Sequence, residues 1–218
     1  MGISERKQRE KELRRQSIIL AAEKVFFSRG LQVATVDEIA EVAELSKGTV
    51  YLYFKDKEEL IATVIYRGIS LLHGMMTDAS LKNQNAVDKI RTLGRVYLEF
   101  ARKYPNHFIL LFQKELHKIE TDETRPEAES CVKTGIQTLS MLKMIIMEGI
   151  EEGSIRRDID PAQMALILWG EIHGVIAIAS REENCSHFEQ FCTFDLESIV
   201  TTTIDIIING IKTSSQKS

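Results

Sequence analysis

Three helix starts crowd into residues 35–56, and that spacing constrains the chain more than any other feature. Thr35-Val36-Asp37-Glu38 has the form of a capping box, in which the Thr35 hydroxyl accepts from the Glu38 amide and Glu38 reaches back. Ser46 is a good N-cap for a second helix over 47–54. Asp56, with Glu59 three residues on, starts a third that runs to about Ala79. The first two helices are too short to stand alone in water. They are joined by a turn of only a few residues, so they must pack on their longer neighbours. One neighbour carries Ile18, Ile19, Ala22, Val25 and Phe26 at helical spacing and stops at Gly30. The other carries Leu60, Ile61, Val64 and Ile65. This is helix-turn-helix spacing.

Downstream, helices are expected near 85–104, 105–116, 124–152, 161–181 and 195–212, with loops around 122–126 and 152–161. No strand-like alternation is convincing. With 3 Pro and 12 Gly in 218 residues, the chain lacks the turn-formers an all-β fold needs. Hydrophobic residues at 44% and charged residues at 28% place it among globular proteins. The expected fold class is all-α: a three-helix head over 1–56 and a larger helical body over 57–218.

Net charge is −4, which excludes a uniformly basic coat but not a basic patch. Residues 1–57 hold 11 Lys+Arg against 9 Asp+Glu, and the remainder holds 17 against 23, so a slightly positive head sits on an acidic body. Residues 5–17 are dense in charge, with Arg6, Lys7, Arg9, Lys11, Arg14 and Arg15 against Glu5, Glu10 and Glu12. Such a run is either a solvated helix face or an arm that reaches phosphates. Cys131, Cys185 and Cys192 form no disulfide framework and no metal pair, so a reduced, cytoplasmic setting is expected and no cofactor or metal. No apolar signal core follows Met1, and nothing supports a lipid anchor at Gly2. Ala162–Ser180 is long and apolar, but Glu171 and His173 near its middle argue for a helix buried in protein rather than in membrane.

On a helical wheel of residues 47–54, Val50 and Phe54 share the inward face. The remaining surface is small, hydroxylated, aromatic and basic, and it suits a DNA major groove. Lys47 can reach a guanine edge or a phosphate, Thr49 can use hydroxyl or methyl, and Gly48 lets the backbone approach. Tyr51 and Tyr53 offer hydroxyls to phosphates, and Leu52 can meet a thymine methyl. Lys55 and Lys57, at the start of the next helix, make a phosphate site with its amides. The same residues also read as the ordinary surface of a small helical subdomain.

Thr35-Val36-Asp37-Glu38-Ile39-Ala40 and Leu45-Ser46-Lys47-Gly48-Thr49-Val50-Tyr51-Leu52-Tyr53-Phe54-Lys55-Asp56-Lys57-Glu58-Glu59-Leu60 closely resemble the DNA-binding domain of TetR-family transcriptional regulators. The resemblance covers roughly residues 15–65. It implies an all-helical homodimer of about nine helices per chain that represses by binding a palindromic double-stranded operator. A small-molecule inducer held in the body would relieve repression. By matching position, Lys47, Gly48, Thr49, Tyr51 and Tyr53 would face DNA, and Thr35 and Lys57 would touch phosphates, with Ser46 opening the helix. One position departs: the family usually has Gly where this chain has Glu44, because the turn wants a left-handed backbone there. That conformation costs an L-residue about 1–2 kcal/mol.

The body reads as dimerisation and ligand-binding apparatus. Gly170, Gly174 and Ala177 share a helix face that permits close approach of another helix. The last helix carries Ile199, Val200, Ile204, Ile206, Ile207, Ile208 and Ile211 on more than one face. A partner chain would complete a four-helix bundle, though a fully internal helix explains the same pattern. Tyr97, Phe108, Phe112, Met144, Met147, Trp169 and His173 are candidate lining for an apolar or amphipathic ligand, or plain core. The long helix at 57–79 is the expected lever between body and head. No nucleophile elbow, P-loop, zinc-helix or dinucleotide motif is present, so no enzyme is expected. A helical carrier without DNA binding is the alternative to a regulator.

Overall fold

The structure, a computed structural model, describes residues 2–82, 85–111, 126–179 and 195–213. Nine helices run through them: α1 (Ile3–Arg29), α2 (Val36–Val42), α3 (Lys47–Tyr51), α4 (Lys57–Ser80), α5 (Ala86–Lys103), α6 (Pro105–Leu110), α7 (Pro126–Glu151), α8 (Pro161–Ala179) and α9 (Leu196–Ile211). No strand occurs among the described residues, and the one β-bridge joins Ile155 to Lys212. The backbone divides into two compact units. One comprises 1–68 with 110–132, and the other comprises 69–109 with 133–218.

In the first unit, the expected core face of α1 is buried, with Ile18, Ala22, Val25 and Phe26 closed to solvent. Helix α2 packs on α1, and α3 on α2. Val36, Ile39 and Ala40 of α2, Val50 of α3, and Leu60, Val64 and Ile65 of α4 are buried in the same unit. Arg67 on α4 pairs with the buried Glu23 of α1 at 3.2 Å. The first three turns of α1 project beyond this core, and residues 4–14 are all exposed.

The start of α2 follows the sequence closely. Thr35 Oγ1 accepts from the Glu38 amide at 3.2 Å, and Glu38 Oε2 accepts from the Thr35 amide at 2.9 Å. The start of α4 is a displaced version of the same device. Asp56 Oδ1 accepts from the Glu59 amide at 2.8 Å, but the Glu59 carboxylate takes the amide of Lys55 at 2.6 Å. The second short helix is shorter than the expected 47–54. It ends at Tyr51, because Leu52 and Tyr53 bond back three residues to Thr49 and Val50 and tighten the chain out of α-geometry.

In the second unit, α5 packs against α8 and α9. Gly94 permits a close approach of α5 to α9: a Cβ there would lie 2.5 Å from Ile204 Cδ1. Ion pairs tie the helices at the rim, Arg91 to Asp205 at 2.6 Å and Lys89 to Glu148 at 2.7 Å. Tyr97, Phe100, Ile146, Ile176 and Ile208 form the fully buried centre.

Candidate nucleic-acid interface and body cavity

The turn between α2 and α3 is set by one residue. Glu44 has φ +56°, and among the described residues no other non-glycine has a positive φ. Its amide bonds to Glu41 O at 3.0 Å, and the Leu45 amide bonds to Ala40 O at 2.9 Å. This pair of bonds is a Schellman motif, with Glu44 in the left-handed position that glycine fills best. The turn that the family resemblance implied is therefore built, with Glu44 strained into it.

Ser46 then caps α3, its Oγ accepting from the Thr49 amide at 3.1 Å and lying 2.8 Å from Thr49 Oγ1. Val50 and Phe54 are buried as the wheel requires, which turns Lys47, Gly48, Tyr51 and Leu52 outward. Leu52 is 80% exposed, a large apolar side chain held in water. Thr49 and Tyr53 are half-buried at the flanks.

Several side chains of this face already have protein partners. Lys47 Nζ donates to Asp37 Oδ2 at 2.6 Å, and that hydrogen bond raises the Lys47 pKa. The Thr35 hydroxyl also donates to Glu38 Oε2 at 3.0 Å. The Glu38 carboxyl is held below its usual range first by the backbone bond from Thr35. Lys57 Nζ donates to Gln32 O at 3.0 Å. The expected anion site at the start of α4 is thus partly filled by Asp56 and Glu59, which occupy the Glu59 and Lys55 amides. Sequence reasoning missed a further contact: the Arg15 guanidinium lies 5.0 Å from the Phe54 ring centroid, fixing α1 beside the end of α3.

The second unit contains an apolar cavity of about 40 Å³ between α4, α5, α7, α8 and α9. Met76, Leu93, Tyr97, Leu142, Trp169 and Ile172 are among its walls. Of the aromatic candidates, Tyr97 and Trp169 line it directly. Phe108 and His173 stand behind them, stacked with centroids 4.7 Å apart. The Trp169 indole hydrogen-bonds to the Tyr97 oxygen, and Tyr97 Oη lies 2.9 Å from His173 Nδ1. The direction of the Tyr97–His173 bond follows the His173 tautomer: neutral His173 accepts at Nδ1 when its proton is on Nε2 and donates there when it is on Nδ1. Burial lowers the His173 pKa to about 4 and raises that of Tyr97. Met144 and Met147 do not belong with this group. They are 68% and 42% exposed, because the buried face of α7 is Leu142, Ile145 and Ile146. Phe112 lies outside the described residues.

A second open surface lies on α8 and α9. Leu166, Ile167 and Ile178 are about half exposed or more, and no atom lies within 4 Å of a Cβ built at Gly170 or Gly174. On α9, Ile206 is 67% exposed. Helices α4 and α8 are both apolar and long enough to cross a membrane, by length and composition alone.

Residues 18–64 match the model of bacterial regulatory proteins of the tetR family, and residues 90–205 match that of the tetracyclin repressor-like C-terminal domain. The chain is 28% identical to the HTH-type transcriptional repressor DhaR of Mycobacterium sp. (strain GP1) over 194 residues, covering 88% of this chain and 95% of that one. Its fold is like that of the transcriptional regulator FadR from Bacillus subtilis in complex with stearoyl-CoA. The TM-score is 0.70 at 22% identity, covering 90% of this chain and 98% of the other. It is also like that of AibR in complex with isovaleryl coenzyme A and operator DNA. There the TM-score is 0.68 at 18% identity, with 88% and 97% covered.

Proposed function

The chain belongs to the TetR family of bacterial regulatory proteins, and from that premise we propose that α3 reads a palindromic operator as the recognition helix of a homodimeric, ligand-released repressor. One observation carries the reading. A short helix is anchored by buried Val50 and Phe54, while Lys47, Gly48, Tyr51 and Leu52 are exposed on its outer face, with Lys47 held by Asp37. Lys47 and Thr49, in the first turn, reach base edges, and Gly48 allows close approach. Tyr51, Tyr53, Lys55 and Lys57 hold phosphates on either side, and Leu52 meets a thymine methyl. Thr35 and Ser46 contribute from the two helix starts. Lys47 exchanges Asp37 for the duplex as it binds.

A second copy supplies the two-fold axis. The glycine-lined face of α8 and the exposed Ile206 of α9 offer an apolar surface that a like surface buries. Two recognition helices about 34–36 Å apart then read successive half-sites. The effector is an apolar or amphipathic molecule, and long-chain acyl thioesters are the first class to try, since a relative of like fold holds stearoyl-CoA. The cavity of about 40 Å³ has room for only a few waters, so the ligand must select a widened body. Its preference for that state over the DNA-binding state sets how far affinity falls. The site of action is the cytoplasm, and no step of the mechanism is catalytic.

The test is selection of bound duplex from a random pool by the full chain. A palindrome with affinity falling steeply in salt is expected. Lys47→Ala and Tyr51→Ala should each lose specific affinity. A chain that ignores every duplex, yet takes up apolar ligands, is instead a helical carrier.

A further inference from the structure

The exposed first turns of α1 lie upstream of the matched residues 18–64, and the proposed recognition surface does not use them. They hold the head's positive charge. Residues 1–17 carry six Lys+Arg against three Glu, net +3, whereas residues 18–57 carry five against six, net −1. Within this extension the three acids are engaged locally: Glu5 with the Gly2 amide, Glu10 with Arg6, and Glu12 with Gln16. Lys7, Lys11 and Arg14 have no ion pair among the described residues. They stand at i, i+4 and i+7, in one sector about 60° wide at about 100° per residue. Continued along the helix, that sector becomes Ile18, Ala21, Ala22 and Val25, the face buried in the head. The basic stripe therefore overhangs the side on which the other head helices lie. Its root is fixed beside the end of α3 by Arg15 over Phe54.

We infer that Lys7, Lys11 and Arg14 form a phosphate-binding stripe that grips the duplex flanking the site read by α3. The stripe adds affinity without sequence preference, since its side chains meet phosphates and not base edges. The extension rises about 18 Å over its first twelve residues at ~1.5 Å each, enough to reach past the half-site. The inference rests on DNA binding by α3, and its test separates the two.

The full chain is measured on its selected palindrome with one helical turn of flank at each end, across a salt series. Two variants are compared: Lys7→Gln/Lys11→Gln/Arg14→Gln on the stripe, and Arg6→Gln/Arg9→Gln on the opposite face. The stripe variant should lower the slope of log affinity against log salt by about 2–3 per protomer, at about 0.9 per lost phosphate contact. It should weaken random-sequence duplex in parallel, and it should leave the selected palindrome unchanged. The opposite-face variant should keep the wild-type slope. Equal slopes in wild type and stripe variant overturn the stripe, with the recognition helix still standing if Lys47→Ala loses specific affinity. Equal losses in both variants overturn it as well, because charge alone and not a face would then be acting. If the wild-type chain binds no duplex, both readings fall. Circular dichroism of the stripe variant should match wild type, since Gln and Lys have similar helix propensity.

Discussion

Replacing Glu44 by glycine should stabilise the head, and the structure gives the size of the gain. Glu44 is held at φ +56° by two backbone bonds of the α2 terminus, and its side chain is exposed. The left-handed conformation costs an L-residue about 1–2 kcal/mol. Glycine removes that strain but gives the unfolded chain more freedom, which offsets about 0.4–1 kcal/mol. A net gain near 0.5–1 kcal/mol remains. For a chain of this size it raises the melting temperature by about 1–4 °C. A graded series sharpens the test, because asparagine tolerates the left-handed region better than glutamate and a β-branched residue tolerates it worse. Thermal and urea unfolding should rank Gly above Asn, Asn above Glu, and Glu above Val. Glu44→Gly melting at or below wild type, with Glu44→Val unharmed, would refute the strain argument.

Asp37→Asn should strengthen operator binding several-fold and reduce specificity little, because it frees Lys47 and removes a negative charge beside the duplex; binding curves at low salt read it. His173 predicts a pH dependence. Its folded pKa of about 4 lies below the ordinary 6.5, so the unfolded chain binds the extra proton and stability falls as pH drops from about 6.5 toward 4. The loss is at most about 3 kcal/mol, and His173→Gln should flatten that part of the profile in urea melts. Gly94→Ala should cost about 1–3 kcal/mol, as its methyl meets Ile204 in a packed core; an unchanged urea midpoint would count against the close approach. Ile206→Glu, at the exposed face of α9, should convert the proposed dimer to monomer in sedimentation.

The helix starts were legible because capping is local chemistry: Thr35, Ser46 and Asp56 each meet the amide three residues away. The inward face of α3 was legible because Val50 and Phe54 recur at helical spacing. The lining of the body was not. Helix α7 carries Met141, Leu142, Met144, Ile145, Ile146 and Met147 in one run, so periodicity assigns no inward side. Packing chose Leu142, Ile145 and Ile146 and left Met144 and Met147 in water.

The sequence by itself determined where helices begin and where the basic charge lies, since each depends on neighbours a few positions apart; the left-handed place of Glu44 was implied only by the family resemblance. Tertiary structure alone decided the contacts that join distant positions. It set Arg15 on Phe54 and Lys47 on Asp37, and it linked Trp169 to Tyr97 and Tyr97 to His173. It also decided which apolar faces were left uncovered. The reason is physical: caps and turns are fixed by the chain's own backbone bonds, whereas side-chain partners far apart in sequence depend on which helix faces the packing brings together.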